Sequence, residues 1–239
     1  MPTPSAATTV RLAPPASLER RAGLLPLGRL VAGRPLVRLV PGAPPGMAFL
    51  HLQPDMAAMA AALGGAAPGD ILRHLAEGTA LRLLDALGEA EGAALPAQLR
   101  AAAVDKAPLL IDLPPRALAA GAVASSGWVA SLPLHSAADP EAFATLAIAA
   151  RRQGWGIALR GLTATSLAWL HPGAIAPDWF ILDWSEALPD NALRSLDPER
   201  ILLTGCDTDA ALDWGLVRNI RIFGGAALDA WAARPGGDA

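Results

Sequence analysis

Four short apolar runs decide the fold: residues 155–159 (WGIAL), 179–184 (WFILDW), 200–204 (RILLT) and 219–223 (NIRIF). Each run is nearly continuous in apolar residues rather than alternating, which is typical of parallel strands buried on both faces. The same pattern occurs in two runs further upstream, residues 108–113 (PLLIDL) and 128–134 (WVASLPL). The sequence therefore predicts six parallel strands.

Helical patterns fill the gaps between these runs. Residues 139–153 (DPEAFATLAIAARRQ) give the clearest one, because Asp139 is a typical N-cap residue and Pro140 suits the first helical position. Gly154 then ends the predicted helix. Further helical patterns cover residues 163–170, 186–196, 208–216 and 226–233. Strands that alternate with helices predict βαβ units and a parallel sheet.

Two more strand-like runs lie nearer the amino terminus. Residues 35–40 (PLVRLV) and 47–52 (MAFLHL) flank the turn-forming segment PGAPPG, which predicts a hairpin. Residues 55–63 and 70–87 have helical patterns. With this hairpin, the sequence favours a closed α/β barrel of the (β/α)8 TIM type with an opening antiparallel hairpin, over an open doubly wound sheet.

The domain organisation follows from length and local composition. A chain of 239 residues suits a single barrel domain. Residues 1–22 are rich in Pro, Ala and Thr without periodicity, and we expect a flexible amino-terminal arm there. We assign residues 23–239 to one barrel domain. Within it, residues 64–104 either complete the barrel or form an added helical segment.

Composition excludes several classes of protein. Hydrophobic residues make up 53% and charged residues 17%, which excludes an intrinsically disordered chain. The net charge of −3 argues against nucleic-acid binding, and one cysteine excludes a disulfide framework or a cysteine-based zinc module. We find no signal-like or membrane-spanning segment, so we expect a cytoplasmic protein without membrane contact.

In barrels of this type, function lies at the carboxyl ends of the strands. The residues expected there are Asp112, His135, Arg160, Asp183, Thr204, Asp207, Gly224 and Gly225. We take all of them except His135 as candidate ligand-binding residues.

The order of short motifs near these strand ends resembles a known family. The motifs are GWGIALRGLTATSLAWL (154–170), PDWFILDWSEAL (177–188), RILLTGCDTDAALDW (200–214) and IRIFGG (220–225). Their order and spacing resemble the carboxyl-terminal half of the EAL domain family, which comprises cyclic-di-GMP phosphodiesterases and their inactive relatives. Residues 180–183 stand at the family's L-K-I-D motif, residues 204–208 at its E-G-V-E-T motif, and Gly224 and Gly225 at its Q-G. The resemblance implies a barrel whose first strand runs antiparallel to the rest.

The acids that the family's chemistry needs are missing from the corresponding stretches. The resemblance implies hydrolysis by two hard cations, which several carboxylates and an Asn hold near the strand ends. Residues 20–54, 113–138 and 156–177 contain no Asp or Glu. Arg160 and Gly161 stand at the family's paired Asp, and Thr204 stands at its Glu. Asp112, Asp183 and Asp207 remain, which is too few for a site with two metal ions.

We therefore predict a degenerate EAL domain that is not an enzyme, with no catalytic residue, no metal and no cofactor. We expect it to act in signalling by binding a protein partner or a second copy of itself, or else by binding cyclic-di-GMP without hydrolysis. The alternative is a divergent barrel enzyme, either a single-metal hydrolase or a lyase. It would use Asp112, Asp183 and Asp207 with His51 or His135.

Structural roles for the same residues stay open. Asp112 could simply start a loop, and Asp183 could cap a strand or pair with an arginine. Arg160 could pair with Asp183 or Asp112, or contact an anionic ligand. Asp207 and Thr208 fit an N-cap entry to the following helix. Gly224 and Gly225 fit a tight turn between a strand and a helix.

Overall fold

A computed structural model describes residues 15–64, 68–88, 108–168 and 175–228, and it contains a closed eight-stranded barrel in the order β1 to β8. The strands are β1 (Val31–Arg38), β2 (Gly46–Pro54), β3 (Leu109–Asp112), β4 (Val129–Pro133), β5 (Gly156–Leu162), β6 (Trp179–Asp183), β7 (Ile201–Thr204) and β8 (Ile222–Phe223). The predicted α/β barrel is confirmed, and each of its strands overlaps one of the eight apolar runs.

The described helices are α1 (Pro15–Leu24), α2 (Met56–Ala62), α3 (Gly69–Gly88), α4 (Pro115–Ala119), α5 (Pro140–Arg152), α6 (Ala164–Leu167) and α7 (Asp209–Val217). Short 3₁₀ helices cover Leu27–Arg29, Leu134–Ala137 and Pro198–Arg200. Within the described part of the chain, none of the helices combines the length and apolar character that a bilayer crossing requires.

The first strand runs opposite to the others. β1 pairs antiparallel with β8, where Val37 faces Phe223 and Arg38 faces Ile222. From β2 to β8, each strand runs parallel to the next. The predicted antiparallel opening strand is confirmed. The carboxyl ends of the seven parallel strands therefore meet at one end of the barrel, together with the beginning of β1.

Capping residues explain why α5 begins and ends where the sequence predicts. The Asp139 carboxylate accepts hydrogen bonds from the amides of Glu141 and Ala142, both at 3.0 Å. These bonds satisfy amides that have no partner inside the helix. Gly154 follows the helix with a φ of 91°, a conformation that disfavours side chains with a Cβ.

The chain divides into two compact units. The first comprises Met1–Val31 and Pro54–Pro96, and its described part contains α1, α2 and α3. Its apolar cluster includes Leu18, Leu30, Met59 and Leu75. The second unit, Ala32–Gln53 and Ala97–Ala239, contains the barrel. Residues 65–67 and 89–104 of the predicted added segment lie outside the described residues, so that assignment stays a prediction.

Two local predictions differ from the structure. Residues 15–22 of the predicted arm lie in α1, where Leu18 is buried; residues 1–14 lie outside the described residues. Residues 186–196 form turns instead of a helix, because Pro189 interrupts helical hydrogen bonding and Asp190 and Asn191 favour turns. After β3, the irregular residues Leu113 and Pro114 lead directly into α4, so the connection that Asp112 begins is short. Residues 169–170 and 229–233 of two predicted helices lie outside the described residues.

Candidate functional site

A polar layer lies directly above the apolar interior of the barrel. The interior layer takes one buried residue from each strand: Leu36, Phe49, Leu110, Val129, Ala158, Ile181, Leu202 and Ile222. Because strand side chains alternate between faces, the residue two positions further on points to the same side. That step reaches His51, Asp112, Ser131, Arg160, Asp183, Thr204 and Gly224, and the antiparallel β1 contributes Arg34.

All of these residues except Ser131 line a cleft of about 360 Å³ at the carboxyl ends of the strands. Its ionisable lining residues are Arg34, His51, Asp112, Arg160, Asp183 and Asp207. All seven predicted ligand-binding residues line this cleft. His135 is not among its lining residues, because it lies exposed in the 3₁₀ helix that follows β4.

Asp112 at the end of β3 is the centre of the polar layer. Its Oδ1 lies 2.9 Å from His51 Nε2, and its Oδ2 lies 3.2 Å from Arg160 Nε. The side chains of Asp112 and His51 are 12% and 8% exposed, so this contact is largely withdrawn from solvent. Both carboxylate oxygens therefore already have a nitrogen partner within the chain.

The surroundings of Asp112 keep it ionised. Burial by itself raises the pKa of this carboxyl group, but the charge and hydrogen bond of His51 and the charge of Arg160 act in the opposite direction. Their sum lowers the pKa below the ordinary value of 3.8. Asp112 is consequently a fixed negative charge at neutral pH, compensated by its neighbours.

Asp183 at the end of β6 has a different partner. The Thr204 hydroxyl on β7 donates to Asp183 Oδ1 at 2.6 Å and lies 3.2 Å from the Leu182 carbonyl. Of the two predicted options for Arg160, the structure has the pair with Asp112. Among the described residues, Asp183 makes no ion pair, and its side chain is exposed at the rim of the cleft.

Asp207 joins the ends of β7 and β8. Its Oδ1 accepts a hydrogen bond from the Ala226 amide at 2.7 Å. Of the two residues predicted for the N-cap of the following helix, Asp207 and Thr208, the N-cap residue of α7 is Thr208, which makes no side-chain cap bond. The Asp207 carboxylate instead accepts from the backbone of Ala226 beyond β8. The two residues are 19 positions apart, so the sequence does not indicate this contact.

Gly224 and Gly225 allow the close packing that the tight-turn interpretation requires. A Cβ atom at Gly225 would lie 2.4 Å from the backbone N and O of Cys206, and one at Gly224 would lie 2.3 Å from Leu36 Cδ2. The contact at Gly225 is with backbone, which cannot shift easily, whereas a Cβ at Gly224 would require the Leu36 side chain to move. The lone thiol, Cys206, is fully buried, and burial raises its pKa to about 12, so it is no candidate nucleophile.

The cleft does not suit the metal ions that the family resemblance implies. A hard cation needs several free oxygen ligands, whereas His51 and Arg160 contact both oxygens of Asp112. Asp183 and Asp207 each give one oxygen to a hydrogen bond. Over the described ranges, no three His, Cys, Asp or Glu side chains lie close enough to hold a metal ion. The donor set therefore does not fit a pair of metal ions.

Three functional-looking residues of the cleft, Arg34, His51 and Gln53, were absent from the predicted ligand-binding set. The sequence assigns His51 a role only in the alternative of a divergent barrel enzyme. The sequence did contain a signal for Arg34 and His51, since each lies two positions from an apolar residue of the interior layer. That signal needs the register of β1 and β2, which the sequence did not establish.

Comparison with known proteins identifies the fold. No family model matches the chain, and no curated protein matches it. Among solved structures, a FimX EAL domain superposes with a TM-score of 0.63 at 10% identity and covers 92% of this chain and 96% of that one. The FimX EAL domain from Pseudomonas aeruginosa bound to c-di-GMP gives a TM-score of 0.56 at 11% identity, with coverages of 90% and 95%.

The Bacillus subtilis YkuI protein, which has an EAL domain and was solved with c-di-GMP and calcium, gives a TM-score of 0.55 at 12% identity. That match covers 95% of this chain but 58% of YkuI. The closed barrel, its antiparallel first strand and these superpositions agree with one another. The chain therefore has the barrel fold of EAL domains.

Proposed function

We propose that this chain is a non-hydrolytic EAL-like protein that acts in cyclic-di-GMP-related signalling by binding a protein partner. The observation that carries the proposal is the double engagement of Asp112 by His51 and Arg160. Metal-assisted phosphodiester hydrolysis needs free carboxylates to hold the cations that activate water. A guanidinium in the cleft also repels a cation, by on the order of 4 kcal/mol at 4 Å near a protein surface.

Exposed apolar side chains on the barrel unit support a protein partner. Val123, shortly after α4, is 73% exposed, and Val217 at the end of α7 is 79% exposed. Exposed apolar side chains mark an interaction site where they form a contiguous patch.

A second candidate is binding of cyclic-di-GMP in the cleft without cleavage. The cleft of about 360 Å³ contains two arginines, Arg34 and Arg160, which suit phosphate groups. FimX and YkuI, which share the fold, were solved with that nucleotide bound. This candidate shares the premise of the first, namely that the cleft does not hydrolyse cyclic-di-GMP.

One experiment tests the premise that both candidates share. The full chain is incubated with cyclic-di-GMP and Mg²⁺ or Mn²⁺, and the linear dinucleotide is measured. We expect none. Metal-dependent product that Asp112→Asn abolishes would overturn the proposal and favour the divergent enzyme that uses Asp112, Asp183 and Asp207.

Calorimetric titration of cyclic-di-GMP follows, with and without the metals. Micromolar binding, roughly −8 kcal/mol, that Arg34→Ala weakens would establish the second candidate. Arg38→Ala is the matched control, because Arg38 lies on the same strand but does not line the cleft. Absence of heat favours the protein partner, for which binding must then decrease with Val217→Glu or Val123→Glu.

A further inference from the structure

The Arg160 guanidinium occupies a place where a cation is electrostatically required. Asp112 is a largely buried carboxylate that stays ionised, and a buried charge needs a counter-charge close by. His51 supplies it from β2, and Arg160 adds to it across β4, since Asp112 is on β3 and Arg160 is on β5. Asp183, on the neighbouring strand β6, faces the same cleft.

We propose that Arg160 is a built-in cation of this cleft: its guanidinium fills the position beside Asp112 that a divalent cation would otherwise take. This inference rests on the proposed non-hydrolytic function and names the residue that opposes metal binding at Asp112.

Side-chain length makes the proposal testable by a single substitution. An aspartate side chain ends at the position of the arginine Cδ, one atom before Nε. Arg160→Asp would therefore remove the group that lies 3.2 Å from Asp112 Oδ2 and leave a gap between two facing carboxylates. A hard cation with oxygen ligands at roughly 2.0–2.6 Å fits between such groups. His51 and Asp183 could complete its ligands from the same cleft.

The test is calorimetric titration of Mn²⁺ into four full-length proteins: wild type, Arg160→Asp, Arg160→Asp with Asp112→Asn, and Arg34→Asp. Arg34→Asp is the matched control, since it makes the same charge change in the same cleft but not beside Asp112. Circular dichroism and thermal unfolding show whether each protein is folded. We expect the affinity of Arg160→Asp for Mn²⁺ to exceed that of the wild type by on the order of 100-fold. We expect no comparable gain in the double variant or in Arg34→Asp.

Equal gains in Arg160→Asp and Arg34→Asp would overturn the proposal, because they would report the overall charge of the cleft. So would a folded Arg160→Asp protein that gains no affinity. If that variant does not fold, Arg160→Asn takes its place, with a smaller gain expected. Wild-type binding of Mn²⁺ that Asp112→Asn removes would also contradict it, whatever the variants do. Hydrolysis of cyclic-di-GMP by the wild type is a separate measurement, so failure of the proposed function is distinguishable from failure of this inference.

Discussion

Arg160 Nε lies 3.2 Å from Asp112 Oδ2, although β4 separates the strands that hold the two residues. The contact is possible because both side chains point into the barrel at the level above its apolar layer. With His51 Nε2 2.9 Å from the other oxygen, each carboxylate oxygen of Asp112 has a nitrogen neighbour. This relationship is the physical basis of the proposed loss of metal-dependent chemistry.

Removal of the charge on Asp112 should destabilise the fold. In Asp112→Asn, Arg160 loses its counter-charge and His51 loses a charge-assisted hydrogen bond. We expect the free energy of unfolding to fall by about 1.5–3 kcal/mol. Urea denaturation measures it. Asp183→Asn is the control, because an amide oxygen can still accept from Thr204 at the exposed rim, and its effect should be within about 0.5 kcal/mol. Equal effects of the two substitutions would contradict a special role for Asp112.

The contribution of Asp112 should depend on pH in one direction. Its pKa is lowered on folding, so the unfolded chain takes up the proton first as the pH falls. The stabilisation is therefore fully present above the unfolded value of about 3.8 and is lost as the pH falls through the lower folded value. Urea denaturation at about pH 6 and about pH 3 should give a smaller difference between wild type and Asp112→Asn in acid. A difference that grows in acid would contradict this assignment.

Two glycines of the cleft should respond differently to a methyl group. Gly225→Ala would press a Cβ against the Cys206 backbone at 2.4 Å, whereas nothing lies within 4 Å of a Cβ at Gly161. Gly161 has a φ of 87°, so Gly161→Ala should cost about 1 kcal/mol of backbone strain. Gly225→Ala should cost at least about 3 kcal/mol in the free energy of unfolding. Comparable decreases in the free energy of unfolding for the two variants would contradict this expectation, because they would mean that the backbone after β8 can shift to accommodate the methyl group.

The thiol of Cys206 should be inert in the folded protein. Burial raises its pKa to about 12, so almost no thiolate exists near pH 8. Because the chain has one cysteine, its reaction with a thiol reagent reports this site alone. We expect the native reaction to be at least about 100-fold slower than in urea. Rapid modification without unfolding would show that the junction of β7 and β8 opens.

The fold could be predicted because burial leaves a clear pattern. Parallel barrel strands such as β3 and β7 are covered on both faces and read as continuous apolar runs. A helix is predicted for residues 186–196 because the apolar residues there have helical spacing. Pro189 and its polar neighbours instead favour turns. Helix α1 was missed because the stretch around it is low in complexity, although it buries Leu18.

The cleft could be located from the sequence but its contacts could not be assigned. Strand ends placed Asp112, Arg160 and Asp183 at one end of the barrel, and the pair of Arg160 with Asp112 was one of two options. Choosing between them requires knowing how far each strand is staggered against the next. β5 and β6 contain a register shift between Leu159 and Leu162 that no local pattern predicts. The partner of Asp207, Ala226, depends on the same long-range geometry.

Anomalous scattering from manganese tests the central claim most directly. Crystals of the full chain, grown or soaked with Mn²⁺, would show whether a cation reaches Asp112. We predict no anomalous peak beside Asp112, with Arg160 Nε and His51 Nε2 still in contact with its two oxygens. A manganese peak at bonding distance from Asp112, with Arg160 turned away, would contradict the account.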